Sequence, residues 1–153
     1  WPAAKVSAAI QDMAEVIRRC ELPLGDWQGD GLPEVSEGLV RFNGVGEESH
    51  ETFIFSLNVN PKTGIGGFLQ RDGSYYFSDF AFCKTERKPY DAAVVACLLV
   101  AKHHLGNAIR VSSDGDWEQE WLQGAYPPDT NSGVAIYTHI FPNRAPVANP
   151  LDN

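Results

Sequence analysis

Apolar positions in residues 3–20, AAKVSAAIQDMAEVIRRC, recur at helical spacing. Val6, Ala9, Ile10, Met13, Val16, Ile17 and Cys20 share one stripe, and Lys5, Gln11, Asp12, Glu15, Arg18 and Arg19 lie opposite. The spacing predicts an amphipathic helix. LPLGDWQGDGLPE then brings enough Pro and Gly to end it in a loop. Beyond that loop the period falls to two. GLVRFNGV sets Val40 and Phe42 against Arg41, and ETFIFSLNV sets Phe53, Phe55, Leu57 and Val59 on one side. SYYFSDFAFCK reads as a third strand, and GFLQ is a short fourth that pairs with it across the turn signal Asp72-Gly73.

KPYDAAVVACLLVAKHHLG returns to helix. Pro89 suits its first turn, Asp91 the positive end of its dipole, and Gly106 its stop. Residues 92–101 are apolar on every side, which predicts a central helix covered by its neighbours. NAIRVSS and GVAIYTHIF read as two further strands, with a short helix begun by SSDGDWEQEW between them. The expected class is α+β: a mostly antiparallel sheet of about four to six strands, with the N-terminal amphipathic helix and the central apolar helix packed on it. Residues 1–140 are expected to form one globular domain. Residues 141–153, with three prolines, are expected to be a loosely ordered tail.

A chain of 153 residues with 43% hydrophobic and 21% charged content is long enough to bury a substantial core. The 20 acids against 12 bases leave a net charge of −8, which disfavours nucleic acid as a partner and suits a basic protein surface or a cation. Cys20, Cys83 and Cys97 are scattered and odd in number, so neither a disulfide framework nor a zinc site is expected. Residues 3–20 carry charges where a signal peptide is apolar, and AAVVACLLVA is half a membrane span. The expected location is the cytoplasm, with no membrane contact. A chain that begins Trp-Pro is expected to have lost residues upstream.

VSSDGDWEQEW holds the densest candidate chemistry. Asp114, Asp116, Glu118 and Glu120 alternate with Gly115, Trp117 and Gln119. On a strand all four acids would face one cation. On a helix Ser113 or Asp114 caps, Trp117 and Trp121 stack at i, i+4, and Glu118 alone falls in the apolar stripe. The EF-hand pattern fails, because the positions that need Gly and Glu hold Gln119 and Ala125. His103 and His104 close the central helix. A set of Asp114, Asp116, Glu118 and His104 has the donors for Mg²⁺, Mn²⁺ or Zn²⁺. No cofactor is required by any motif, and such a divalent metal is the alternative. His50 sits among Glu47, Glu48 and Glu51, a setting that favours its protonated form. KTGIGGF lacks the ending of a phosphate loop, and no nucleophile signature is present.

Tyr75 and Phe77 lie on the face of an aromatic strand turned away from the core, which marks a partner surface. Three readings result. The first is a non-enzymatic module that binds a protein partner or a second copy of itself through Tyr75, Phe77, Glu118 and Glu120. The second is a metal-dependent hydrolase built on residues 114–120. The third follows from the order α-β-β-β-α, which resembles the topology of double-stranded-RNA-binding domains, with Lys84, Arg87 and Lys88 placed for phosphates.

Overall fold

In the computed structural model, residues 3–56, 67–69, 75–77, 81–124 and 132–151 are described. Helix α1 (Ala3–Arg19) forms where the 3.6-residue pattern predicts it, and it buries Val6, Ala9, Ile10, Met13, Val16 and Cys20. Glu21 then turns the chain with φ 58°. Three antiparallel strands follow in the order β1 (Glu34–Ser36), β2 (Leu39–Phe42), β3 (Phe53–Ser56). Val40 opposes Phe55 and Phe42 opposes Phe53, so one sheet face carries four buried side chains. The Phe42 and Phe53 rings lie 5.1 Å apart. Leu57 and Val59 lie outside the described residues.

A separate antiparallel pair joins β4 (Gly67–Leu69) to β5 (Tyr75–Phe77), with Phe68 opposite Tyr76. GFL therefore does pair with YYF; the turn residues Asp72 and Gly73 lie outside the described residues. Helix α2 (Asp91–Leu105) runs through the middle. Residues 93–97, Leu99, Val100, Ala101 and Leu105 are buried, as its all-round apolar sequence requires. Both α1 and the last helix, α3 (Gly133–Ile140), pack on it.

Four expectations need correction. The sheet has three strands, not four to six, because two segments read as strands are something else. GVAIYTHIF is α3. Its N-cap Ser132 accepts a hydrogen bond from the Ala135 amide at 3.0 Å, and Gly133 lies so close to α2 that a Cβ would meet Val95 Cγ1 at 2.2 Å. The segment's β-branched and aromatic composition favours a strand, although its buried positions 133, 136, 137 and 140 follow the helical i, i+3, i+4, i+7 spacing. Residues 107–113 make no strand: a 3₁₀ turn spans Gly106–Ala108, and Val111 makes one parallel bridge to Leu151. Phe82 and Cys83, read as the end of an aromatic strand, belong to no strand.

After α3 the chain runs without regular structure, yet Pro150 is buried and Val147 and Leu151 pack against the core. Among the described residues no helix is long and apolar enough to cross a membrane.

Candidate functional site

Residues 83–88 tie three distant segments together. Cys83 Sγ donates to the Glu51 carbonyl at 3.3 Å, and the Lys84 amide donates to Glu51 Oε2 at 2.7 Å. Tyr90 Oη donates to the same Glu51 carbonyl at 2.7 Å. His50 Nδ1 lies 2.6 Å from the Lys84 carbonyl. A carbonyl only accepts, so Nδ1 carries the proton and Nε2 faces Glu86 Oε1 at 3.6 Å. Next along the chain, Thr85 Oγ1 donates to Asp91 Oδ1 at 2.6 Å, Arg87 Nε donates to Glu120 Oε1 at 2.6 Å, and Lys88 Nζ donates to the Glu47 carbonyl at 2.6 Å. Four successive side chains thus reach four different places.

The backbone is bent to allow this. Glu86 and Arg87 sit consecutively at φ 53° and 55°, a left-handed conformation that non-glycine residues seldom adopt. Such strain persists only where surrounding contacts fix it. Asn43, 2% exposed, does the same for the facing loop. Its amide donates to the His50 carbonyl at 2.8 Å, and its oxygen accepts from the amides of Gly44 and His50 at 2.8 and 3.0 Å.

The acidic run is a single turn of π-helix, Trp117–Trp121, not an ordinary helix start. Asp116 is the cap, where Ser113 or Asp114 was expected: its Oδ1 accepts from the Gln119 amide at 2.8 Å. Ser113 Oγ instead accepts from the Gly115 amide at 2.9 Å. The Trp117 and Trp121 rings do pair, 6.0 Å apart, and Trp121 is buried. Glu118, the residue at odds with a helical stripe, is exposed. Glu120 is taken by Arg87, and its other oxygen accepts from the Asp116 amide at 3.2 Å.

The four residues read as metal ligands do not meet. Asp114, Asp116 and Glu118 face solvent, while His104 Nε2 bonds Asp12 on α1. No group of three or more His, Cys, Asp or Glu side chains among the described residues is arranged to hold a metal ion. The side chains of Tyr75 and Phe77 lie outside what is described.

What residues 83–88 assemble is a surface. Their bonds bring Glu47, Glu48 and His50, Glu86, and the 114–120 turn to one side of the molecule. Glu47, Glu48, Glu86, Asp114, Asp116 and Glu118 are all exposed there. Beneath them Asp91 is desolvated. Burial raises its carboxyl above the ordinary value, Glu120 and Asp114 add to the rise, and the Thr85 hydroxyl and Arg87 pull against it. Burial pushes the Cys83 thiol up to about 12, helped by Glu51 and Asp91, so it is no nucleophile.

Glu51, Asn43 and Asp91 organise this face without a local sequence signal, since each acts through a backbone group or across more than five residues. The left-handed pair Glu86-Arg87 has no glycine to announce it. Comparison with protein-family models, with curated proteins and with solved structures finds no match for this chain.

Proposed function

We propose that the protein is a binding module that docks a basic protein surface on this carboxylate-rich face. One observation carries the reading: the two cations that reach into the face, Arg87 and Lys88, are already engaged, so the exposed acids beside them are left for a partner. Arg87 is paired with Glu120 and Lys88 with the Glu47 carbonyl, whereas the Glu47, Glu48, Asp114 and Glu118 side chains stand in solvent. A partner with complementary charge is steered to such a face, and its association weakens with salt. Two copies of the face would repel each other, so the occupant is a different protein.

The test is direct. A synthetic Lys/Arg-rich peptide of about 20 residues is titrated at low and high salt, with a Glu-rich peptide as control. Charge reversal at Glu47, Asp114 and Glu118 should abolish binding. Reversal at Glu21, Asp30 and Glu37, elsewhere on the surface, should leave most of it. Equal loss from both sets would reduce the effect to net charge and overturn the reading.

The RNA reading keeps one point in its favour, the order α1-β1-β2-β3 with α2 following after the β4-β5 pair. Against it, two of its three basic residues, Arg87 and Lys88, already hold protein partners. A band shift with duplex RNA that weakens with salt would bring it forward. The hydrolase reading has no gathered ligand set to support it; a selective rise in Tm with Mg²⁺, Mn²⁺ or Zn²⁺ would restore it.

A further inference from the structure

A second polar cluster lies away from this face, where α1, α2 and the chain after α3 converge. Asp12 Oδ2 accepts from His104 Nε2 and from Arg144 Nη2. The other terminal nitrogen of Arg144, Nη1, donates to Tyr137 Oη at 3.4 Å. The guanidinium carbon Cζ lies over the Phe141 ring at 3.8 Å and near the Tyr137 ring at 5.6 Å, and those two rings pack 5.2 Å apart. His103, whose ring meets His104 edge-on at 5.0 Å, completes the wall. Asp12, His104 and Arg144 side chains are 22%, 19% and 19% exposed, so the cluster is half-sheltered but open to water.

These contacts are of three kinds: a carboxylate, a hydroxyl acceptor and an aromatic shelf. They match a planar fork with two donors and a stacking face, which an ammonium does not offer. The acceptors belong to helices α1 and α3, and Arg144 reaches them from outside regular structure. Residues 145, 146, 148 and 149 are exposed, and the segment is held by the guanidinium, by the packing of Val147, Pro150 and Leu151, and by the bridge of Leu151 to Val111.

We propose that Asp12, Tyr137 and Phe141 form an arginine-binding site that Arg144 fills from within the chain. An arginine side chain of another polypeptide competes for the same carboxylate and displaces the Arg144 side chain. This site is separate from the acidic face, and its fate does not depend on that reading.

The test vacates the site. Arg144→Ala should bind N-acetyl-arginine-amide saturably, followed by tyrosine fluorescence and by recovery of Tm. Its affinity should exceed that of the wild-type chain at least tenfold, because the internal competitor is gone. N-acetyl-lysine-amide should not substitute, and Asp12→Asn in the Arg144→Ala chain should abolish binding. If Arg144→Ala does not fold, Arg144→Gln keeps the stem and removes the fork, and the same titration applies. Absence of saturable binding, equal binding of the lysine probe, or binding that survives Asp12→Asn would each overturn the proposal.

Discussion

Replacing Gly44 with alanine should damage both stability and the acidic face, by an amount the geometry sets. A Cβ at Gly44 would stand 1.9 Å from the Glu48 carbonyl oxygen, 2.7 Å from its carbon and 2.9 Å from Tyr90 Cδ1. All three neighbours are fixed. Tyr90 is 1% exposed, and Glu48 closes the 3₁₀ turn Gly46–Glu48 through its amide bond to the Val45 carbonyl. Relief requires the 46–50 loop to move by more than an ångström, which breaks at least one bond of the buried Asn43 amide. Overpacking of this kind costs about 1–3 kcal/mol. A buried amide left unpaired adds about 1–3 kcal/mol. Together they predict a loss of roughly 2–6 kcal/mol, or a fall in Tm of about 4–24 °C for a chain this size. Urea denaturation measures it. Gly46→Ala is the control: its Cβ meets nothing within 4 Å, and only its φ of 56° is strained. That should cost about 1–2 kcal/mol. A Gly44→Ala loss no larger than that of Gly46→Ala would refute the reasoning.

Asp12→Asn should lower stability by about 2 kcal/mol at pH 7, read by urea denaturation, since a half-buried charge-assisted pair is lost. Burial raises the Asp12 carboxyl, but hydrogen bonds from His104 and Arg144 with their charges bring it below its ordinary value. The wild-type advantage should therefore hold above the usual carboxylate range and fade as pH falls through the lowered value. Asp91 has the opposite sign. Its carboxyl is raised, so the folded chain gains stability as pH falls through that raised value, and the charged form is a penalty above it. Asp91→Asn should match or exceed wild type at pH 7 and lose that advantage toward pH 4; a deficit larger at pH 7 than at pH 4 would refute this. All three thiols should resist alkylation at pH 8 until the chain unfolds, because Cys20 and Cys97 are buried and Cys83 is pushed up to about 12. Rapid labelling of Cys83 in the native chain would contradict the placement of its thiol against the Glu51 carbonyl.

Periodicity located what periodicity encodes. The stripe Val6–Cys20, the alternation Phe53–Phe55 and the saturated run of α2 each became the element expected. It was overruled where a short segment's β-rich composition outweighed its spacing. In α3, Gly133, Ile136, Tyr137 and Ile140 are buried, and a β-rich composition conceals a capped helix. The acidic run was legible as a capped turn with stacked tryptophans. Its cap and its π-helical width were not, because Asp116 and Ser113 are equally good caps by residue type. Glu118 looked misplaced only under a spacing of 100° per residue. The gathering of the acids with residues 83–88 lay beyond any local pattern, since the bonds span 33 to 41 residues.

The charge balance gains a structural meaning from those bonds. Cations here act as internal ties: Arg19 reaches the Ile140 carbonyl, Arg41 pairs with Glu34, Lys102 donates to the Ile109 carbonyl, and Arg144 and Arg87 hold Asp12 and Glu120. The ties of Arg19, Arg87 and Arg144 join segments the backbone alone leaves apart, and each tie takes a positive charge out of the pool open to a partner. With 20 acids against 12 bases some carboxylates have no cation to pair with, and Glu47, Glu48, Asp114 and Glu118 are among those that face outward. Where they collect is decided by the strained turn at Glu86-Arg87. Binding to a basic surface is thus expected to be most sensitive to substitutions that release that turn, more than to loss of any one exposed acid. Arg87→Gly separates the two: the left-handed backbone loses its strain, the tie to Glu120 is cut, and the 114–120 turn is freed from the 46–51 loop. If affinity for the basic peptide survives that change undiminished, the face is a sum of charges and not an assembled site.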